Sequence, residues 1–357
     1  MNARLARLRA LLPEKELDAL IVSQAENRRY LSGFVGTAGY LIVTASRAIL
    51  ATDFRYTEQA RTQARDFEVV QIKGEASEWL PQMAGDLGLK KVGFESMDLS
   101  FYAYRRLTEA IGRGQGWQLI PTERLVEGLR ATKDAAEMAA LTRAAHLADL
   151  AAEHLEKTLR PGVQEKEVAW QMESFLRESG SEFIPFELII ASGPNAALPH
   201  AHPAERRIAE GEPVIMDIGA RVDGYCSDLS RTFFLGKPDD TFRRVYDIVL
   251  GAQLTAIATL KPGMTGEEAD RLARTVIEQG GYGDNFGHGL GHGVGLAVHE
   301  EPRLGMNSKD VLSDNMVFTV EPGVYLPGWG GVRIEDMVVI DGGKVRPLTG
   351  SRKVYPE

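Results

Sequence analysis

The chain has 357 residues, which is enough for about two domains. Its single cysteine, Cys226, excludes an intrachain disulfide, and its net charge of −9 argues against nucleic acid or an anionic membrane surface as a partner. No apolar run reaches the roughly 18 residues of a membrane span. The single cysteine fits a reducing compartment, so we expect a cytoplasmic protein that binds neither nucleic acid nor a membrane.

The first 127 residues alternate between short apolar strands and helical segments, which is the pattern of an α/β domain. A helix is predicted at residues 4–12, and the later elements are strands at 18–23, 39–44 and 48–51, a helix at 54–65, a strand at 67–72, a helix at 77–87, a strand at 91–94, a helix at 100–110 and a strand at 118–121. The second and third strands flank a short polar turn and are predicted to form a hairpin. No group of residues in this domain indicates catalysis by itself.

Residues 128–357 are predicted to form a second domain that contains an internal duplication. A helix from residue 132 to about 159 ends at Leu159-Arg-Pro-Gly-Val-Gln-Glu-Lys-Glu, and a similar segment, Leu260-Lys-Pro-Gly-Met-Thr-Gly-Glu-Glu, follows later in the chain. In each copy a second helix and two β-rich runs come next, at 213–218 and 225–235 in the first copy and at 316–325 and 331–340 in the second. We therefore predict an α+β domain built from two related halves.

Each pair of β-rich runs carries two acidic residues in equivalent places. Asp217 and Asp228 lie in the first pair, and Glu321 and Glu335 lie in the second. If residues 221–224 form a symmetrical loop, Asp217 lies directly opposite Asp228, with Cβ atoms about 5 Å apart. Two related halves would place the hairpins face to face, so we expect all four carboxylates to converge.

Four converging carboxylates require compensation, because burying even one ionised carboxylate costs several kcal/mol. Either the pKa values of these groups rise sharply or divalent metal ions neutralise them. Two divalent ions balance four carboxylates, and a donor set of oxygens with one histidine nitrogen suits manganese, cobalt, zinc or iron. The alternative is that the aspartates are turn residues at strand ends and that the glutamates pair with Arg333 or other basic groups.

Histidines are concentrated around a glycine-rich segment, Gly287-His-Gly-Leu-Gly-His-Gly-Val-Gly. Glycine at every second position disfavours a helix and leaves one face of an extended segment without side chains. Five of the seven histidines lie in this segment or within a hundred residues of it: His200, His202, His288, His292 and His299. Such a cluster indicates a metal site or a proton-transfer site, although packing is the alternative for any single histidine.

These motifs resemble those of the pita-bread metallopeptidases, the family that includes aminopeptidase P, prolidase and methionine aminopeptidase. The resemblance rests on Met216-Asp-Ile-Gly, Tyr225-Cys-Ser-Asp-Leu-Ser-Arg-Thr-Phe, the glycine-rich segment with His299-Glu-Glu-Pro, Val320-Glu-Pro-Gly and Gly331-Val-Arg-Ile-Glu-Asp. Tyr30-Leu-Ser-Gly-Phe and Asp53-Phe-Arg-Tyr-Thr-Glu-Gln are similar to the N-terminal domain of aminopeptidase P and prolidase. The implied fold is a creatinase-like α/β domain at 1–127 and an α+β pita-bread catalytic domain at 128–357 with an internal pseudo-twofold duplication.

The resemblance also implies a centre of two divalent metal ions, most simply Mn²⁺, with Co²⁺ and Zn²⁺ as alternatives. Its ligands would be Asp217, Asp228, His292, Glu321 and Glu335, with Asp228 and Glu335 bridging the two ions. A hydroxide held between the ions would attack the scissile carbonyl, and Glu321 would move a proton to the leaving nitrogen. The other candidate catalytic residues are His200 and His299, which would hydrogen-bond the carbonyl, Arg333, which would orient carboxylates, and His288.

The implied activity is that of an Xaa-Pro aminopeptidase, which removes the first residue from peptides with proline in the second position. A prolidase that cleaves Xaa-Pro dipeptides is the alternative, and Arg303 is then a candidate anchor for the dipeptide carboxylate. The Asp53-Phe-Arg-Tyr-Thr-Glu-Gln segment favours the aminopeptidase. A third hypothesis is a non-catalytic peptide-binding member of the fold, which the complete ligand set disfavours. The expected partners are peptides and further copies of the chain, in a homodimer or higher homo-oligomer.

Overall fold

The structure is a computed structural model that describes residues 2–112 and 116–353. Its internal contacts divide the chain into an N-terminal unit, Met1–Arg130, and a C-terminal unit, Ala131–Glu357. The boundary between residues 127 and 128 stays a prediction. Among the described residues, no helix combines the length and the apolar content that crossing a membrane requires.

In the described part of the chain, the N-terminal unit is built around a six-stranded mixed sheet. The strands are β1 (Ala19–Val22), β2 (Tyr40–Thr44), β3 (Ala48–Thr52), β4 (Glu68–Gln71), β5 (Lys91–Glu95) and β6 (Gln118–Thr122). The helices are α1 (Ala3–Glu14), α2 (Ala25–Ser32), α3 (Thr57–Gln63), α4 (Ala76–Asp86), α5 (Phe101–Ile111) and α6 (Leu125–Ala131). The strand order is β4-β3-β2-β1-β5-β6. Strand β2 is antiparallel to both of its neighbours, β1 and β3, and the other neighbouring pairs are parallel.

The predicted α/β pattern and the β2-β3 hairpin are confirmed, but the sequence analysis missed α2 and α6. Helix α2 buries the polar side chains of Asn27 and Arg28 together with Tyr30 and Leu31, so it has no simple apolar stripe to recognise. It ends at Gly33, whose φ of 77° lies in the left-handed region that suits glycine at a helix C-terminus.

The C-terminal unit combines long helices with short strands. Its α-helices are α7 (Ala135–Thr158), α8 (Glu165–Glu178), α9 (Asp240–Thr259) and α10 (Gly266–Gln279), and its 3-10 helices are Gly193–Ala197 and Gly283–Asn285. Its strands are β7 (Ile189–Ser192), β8 (Pro213–Ile218), β9 (Arg221–Val222), β10 (Tyr225–Cys226), β11 (Leu229–Phe234), β12 (Gly291–Gly293), β13 (Glu300–Leu304), β14 (Val317–Val320), β15 (Gly323–Leu326), β16 (Gly330–Arg333), β17 (Asp336–Asp341) and β18 (Lys344–Pro347). The larger sheets have the orders β11-β8-β7 and β13-β12-β14-β17-β18.

The predicted duplication is confirmed by the local geometry around the two Pro-Gly segments. Gly162 between α7 and α8 has a φ of 91°, and Gly263 between α9 and α10 has a φ of 86°. The residue before each second helix then forms an isolated antiparallel bridge, Gln164 with Arg207 and Thr265 with Val311. Both halves therefore share the order helix, turn, helix and strands, as the sequence repeat predicts.

Alternation along the strands decides which side chains face away from the helices. In β8, Val214, Met216 and Ile218 pack into a core with residues of α7 and α8, so Asp217 lies on the opposite face. In β14, Phe318 and Val320 pack into the core that α9 and α10 form. Because side chains alternate along an extended chain, both halves present the remaining residues on a face that the helices leave uncovered.

Candidate metal centre

The first hairpin places its two aspartates differently from the sequence prediction. Asp217 pairs with Ser230 rather than with Asp228, because the hairpin closes through a two-residue turn at Asp223 and Gly224. Both turn residues have positive φ, 50° and 83°, as a type I′ hairpin turn requires. The predicted pairing of Asp217 with Asp228 was therefore wrong by two residues, a shift that keeps both side chains on the same face of the hairpin.

The second hairpin has one register on both sides of its two glutamates. Val320 pairs with Asp336 in the β14-β17 ladder, and Gly323 pairs with Arg333 in the β15-β16 ladder. Continuing this register through the gap places Glu321 opposite Glu335. One ligand atom from each of Asp217, Asp228 and Glu335 lies within 4.8 Å of the other two, so the carboxylates of the two halves converge as predicted.

His292 joins this cluster from the glycine-rich segment. Its Nδ1 lies 3.1 Å from the carbonyl oxygen of Gly293 and must donate to it, which leaves Nε2 facing the acids. His292 Nε2 lies 3.3 Å from Glu321 Oε1 and 3.5 Å from Asp228 Oδ2. His292, Glu321 and Glu335 form a second group of potential ligands within 4.8 Å of one another.

Glycine is required at two positions of this segment because neighbouring strands approach it closely. A Cβ atom at Gly291 would lie 2.1 Å from the carbonyl oxygen of Thr319, and one at Gly293 would lie 2.0 Å from that of Glu301. Strand β12 is held between β13 and β14 at this point. The hydroxyl of Thr319 accepts a hydrogen bond from His292 N at 3.0 Å and donates one to Glu321 Oε1 at 2.9 Å, so it connects two candidate ligands.

The electrostatics of the cluster disfavour several ionised carboxylates without a compensating charge. Burial, followed by the charges of neighbouring carboxylates, raises the pKa of Asp228 and of Glu335 well above its usual range. Burial also acts to raise the pKa of Glu321, but the hydrogen bond and charge of His292 outweigh it and lower that pKa to about 2. Among the described residues, Asp217 Oδ1 is buried without a hydrogen-bond partner. Oxygen-rich donors with one imidazole nitrogen therefore fit divalent metal ions.

Arg333 connects carboxylates from both hairpins. Its Nη2 donates to Asp217 Oδ2 at 2.6 Å, and its Nε donates to Ser230 Oγ at 2.8 Å. The Ser230 hydroxyl then donates to Glu335 Oε2 at 2.8 Å. Arg333 is buried, so it fixes the orientation of two candidate ligands without pointing into solvent.

The contacts of His288 differ from those expected of a group that reacts directly. Arg333 Nη1 donates to Tyr325 Oη at 3.0 Å, so the tyrosine proton is available to His288 Nε2 at 2.9 Å. His288 Nδ1 is then the protonated nitrogen and donates to the carbonyl oxygen of Gly289 at 2.8 Å. Burial lowers the pKa of His288, which agrees with a neutral ring. Both ring nitrogens are occupied, which favours a positioning role over the predicted catalytic role.

The remaining candidate residues line one cavity of about 430 Å³ together with the carboxylate cluster. His200, His202, His299 and Arg303 have exposed side chains in its wall. The rings of His299 and His292 have centroids 4.2 Å apart, whereas His202 Nδ1 lies 2.8 Å from Glu187 Oε2. Apolar side chains also contribute to the wall: Phe186, Ile189, Pro199, Val298 and Leu304. The cavity therefore combines a polar end with an apolar surface.

Sequence reasoning missed three residues that support the cluster. Thr319 stands two residues before Glu321, and Ser230 stands two residues after Asp228, so both share a strand face with an acid. That spacing is a signal that could have identified them. Nothing local identifies Tyr325, because its partner His288 lies 37 positions earlier in the chain.

Comparisons with known proteins agree with this geometry. Residues 139–342 match the family described as metallopeptidase family M24, and residues 4–132 match the Creatinase/Prolidase N-terminal domain. An Xaa-Pro dipeptidase from Bacillus anthracis is similar over 99% of this chain and 98% of its own, with 42% identity and a TM-score of 0.95. The prolidase from Pyrococcus horikoshii OT3 is similar over 98% of this chain and 99% of its own, with 33% identity and a TM-score of 0.92.

A third solved structure carries a different name. The X-Pro aminopeptidase from Thermotoga maritima MSB8 is similar over 98% of this chain and 99% of its own, with 35% identity and a TM-score of 0.86. These matches confirm the resemblance to the pita-bread enzymes and the α/β plus duplicated α+β fold that the sequence predicts. The chain belongs to metallopeptidase family M24, whose hydrolytic chemistry uses divalent metal ions.

Proposed function

We propose that this metallopeptidase hydrolyses the bond between an N-terminal residue and proline, and that Xaa-Pro dipeptides are its preferred substrates. The observation that carries the proposal is that one cavity of about 430 Å³ contains the carboxylate cluster, an apolar wall and Arg303. This volume is near the lower end of the range for small-molecule sites. A dipeptide with one apolar ring and one carboxylate matches both the size and the chemistry of the cavity.

We assign the metal ligands as Asp217, Asp228, His292, Glu321 and Glu335. Glu335 belongs to both of the groups of potential ligands described above, and Asp228 belongs to one of them and to a third group with His292 and His299, which is compatible with a bridging role for both acids. Bound divalent ions, with Mn²⁺ as the first choice and Co²⁺ or Zn²⁺ as alternatives, would activate a water molecule and polarise the substrate carbonyl. The donor set consists of oxygens and one nitrogen without a thiolate, which favours binding of these ions over softer metal ions.

The chain's own groups supply proton transfer and orientation. The nitrogen of an Xaa-Pro bond has no hydrogen, so it must receive a proton as it leaves. We assign this transfer to Glu321, whose carboxylate lies beside His292 and can take a proton from the attacking water. His200 and His299, exposed in the cavity wall, would donate hydrogen bonds to the carbonyl oxygen as negative charge develops on it.

Arg303 supports dipeptides over longer peptides. Arg303 lines the cavity, and a guanidinium can bind a carboxylate with two parallel hydrogen bonds. In an Xaa-Pro dipeptide the proline carboxylate is free, whereas in a longer peptide it forms the next peptide bond. The aminopeptidase that the sequence favours remains the alternative, supported by the similarity to the Thermotoga maritima protein.

Three peptides compared under identical metal conditions test the proposal: Ala-Pro, Ala-Pro-amide and Ala-Pro-Ala-Ala. We expect the highest kcat/KM for Ala-Pro, since only this peptide combines proline with a free carboxylate. Arg303→Met should raise KM for Ala-Pro by about 10- to 100-fold, because loss of a charge-assisted hydrogen bond weakens binding by about this factor. The KM for Ala-Pro-amide should stay nearly unchanged. Arg346→Met, which changes an exposed arginine outside the cavity, is the matched control.

Two outcomes would count against different parts of the proposal. A clear preference for Ala-Pro-Ala-Ala, with no effect of Arg303→Met, would establish the aminopeptidase alternative and leave the metal ligands unaffected. Failure to release alanine from any of the peptides after addition of Mn²⁺, Co²⁺ or Zn²⁺ would refute Xaa-Pro hydrolysis itself. The predicted homo-oligomer stays a prediction, which light scattering on the purified protein can test.

A further inference from the structure

Glu165 is a fully buried carboxylate outside the cavity that binds the loop carrying His200. It is the first residue of α8 and has no exposed surface. Its Oε1 accepts hydrogen bonds from the backbone N and the hydroxyl of Ser192, at 2.8 and 2.6 Å. Its Oε2 accepts hydrogen bonds from Asn195 Nδ2 at 3.0 Å and from Ala204 N at 3.1 Å. One side chain therefore connects both ends of the segment 192–204.

The hydroxyl proton of Ser192 can be assigned from its second partner. Arg206 Nη1 donates to Ser192 Oγ at 2.7 Å, and an arginine can only donate. The hydroxyl must therefore direct its own proton to Glu165. Arg206 is itself held by Glu212 through a two-point contact, with oxygen–nitrogen distances of 2.5 and 2.6 Å. The carboxylate of Glu165 thus acts only as an acceptor, and each of its oxygens has well-defined donors.

These contacts fix the backbone on both sides of His200. Asn195 belongs to the 3-10 helix Gly193–Ala197, and its carbonyl accepts from Leu198 N at 3.0 Å. Between the two ends, the carbonyl oxygen of Pro199 accepts a hydrogen bond from Arg333 Nη1 at 3.1 Å. His200 follows directly after this carbonyl, so its position in the cavity wall depends on Glu165 at the ends of the loop and on Arg333 in the middle.

Starting the helix does not explain Glu165. The first turn of α8 is already supported by Glu167, whose Oε2 accepts from Gln164 N at 3.2 Å. In the second half of the duplication the equivalent residue is Gly266, where a Cβ atom would lie 2.0 Å from the carbonyl oxygen of Arg303. The carboxylate is thus present only in the half whose loop carries His200, and the other half excludes any side chain at this position.

We propose that Glu165 is a positioning residue for catalysis: it holds the loop 192–204 so that His200 can donate to the substrate carbonyl. The inference rests on the proposed function, because it assumes that His200 acts on the substrate. Glu165 does not line the cavity, so its effect must pass through the loop. Removing it should therefore lower kcat and leave the metal content unchanged.

The test is a double-mutant cycle between Glu165 and His200 on the full-length protein with Mn²⁺ and Ala-Pro. Glu165→Gln keeps the size of the side chain but points an amide NH₂ at groups that are themselves donors. We expect kcat to fall about 10- to 100-fold, as for other residues that orient reacting groups. In a His200→Ala background the same change should lower kcat less than about threefold, because the residue that Glu165 positions is already absent. Glu167→Gln, in the same helical turn, is the control.

The possible outcomes distinguish failure of this inference from failure of the proposed function on which it rests. Equal losses in both backgrounds would overturn the inference and leave the proposed function intact, as would loss of metal from folded Glu165→Gln protein. No effect of His200→Ala would refute both the role of His200 and the inference. If Glu165→Gln does not fold, Asn195→Ala, which removes one donor and leaves the carboxylate with its other partners, should show a smaller loss with the same dependence on His200.

Discussion

Replacing Gly291 with alanine should disrupt the proposed metal centre without changing any of its proposed ligands. The new Cβ atom would lie 2.1 Å from the carbonyl oxygen of Thr319, whereas real Cβ atoms do not approach other atoms closer than 3.0 Å. The two strands must therefore separate by at least 0.9 Å, the difference between these distances. Metal sites tolerate changes of only about 0.2 Å in ligand distance.

The displacement acts on two of the proposed metal ligands at once. His292 follows Gly291 directly, and its backbone N–H donates to the Thr319 hydroxyl, which in turn donates to Glu321. Moving Thr319 away from β12 thus weakens the two hydrogen bonds that orient His292 and Glu321. Loss of such supporting contacts usually lowers metal affinity about 10- to 100-fold, and we expect a change of this size for Gly291→Ala.

Titration calorimetry with Mn²⁺ measures this affinity, and circular dichroism confirms that the variant is folded. Gly287→Ala is the matched control, because a Cβ atom in that position of the same segment meets nothing within 4 Å. Gly287→Ala should bind Mn²⁺ with the same affinity as the wild-type protein. If Gly291→Ala does not fold, Thr319→Val removes the shared hydroxyl and should weaken metal binding in the same direction. Metal affinity of folded Gly291→Ala within twofold of the control would refute the reasoning.

Three further predictions follow from the same geometry. Asp228→Ala or Glu335→Ala should abolish peptide hydrolysis and reduce the bound metal measured by elemental analysis, since each removes a charge shared by two groups of ligands. His299→Ala should lower kcat with the metal retained; loss of metal would show that His299 is itself a ligand. Burial raises the pKa of Glu95 from 4.5 to about 7, so the free energy of unfolding should fall by up to about 3 kcal/mol as the pH rises between these values. Urea unfolding should lose this pH dependence in Glu95→Gln.

The duplication was predictable because it depends on local chemistry repeated in the sequence. Both Pro-Gly segments need a residue with positive φ between two helices, and glycine supplies it at 162 and 263. The period of the strands also explains why Asp217 lies on the face of its strand that the helices leave uncovered. A pattern of this kind survives an error in register, because a shift by two residues leaves every side chain on its original face.

The register error has an identifiable cause. The prediction used a symmetrical loop at residues 221–224, whereas Asp223-Gly224 alone forms the turn. An Asp-Gly pair between apolar runs is among the strongest hairpin signals in a sequence, so the correct register was available from the residues. Only the pairing partner of Asp217 was affected, since Asp228 remains a diagonal neighbour on the same face.

Contacts between distant segments could not be predicted in this way. Arg333 and Asp217 are 116 positions apart, and Glu165 and Ser192 are 27 positions apart. Periodicity reports the local conformation and the buried face, but it does not report which buried polar groups meet. These partners therefore became visible only in the three-dimensional structure.

The duplication accounts for the number of carboxylates but not for the chemistry of the centre. Each half contributes two acids from a hairpin, so symmetry alone would give two equivalent groups of oxygen ligands. The glycine-rich strand is specific to the second half, and His292 makes the groups unequal: Asp217, Asp228 and Glu335 offer only oxygens, whereas His292, Glu321 and Glu335 include a nitrogen. The first half instead contributes His200 on the loop that Glu165 holds. Both related halves thus supply carboxylates to the proposed metal centre, whereas the proposed histidine ligand, His292, comes from the second half alone.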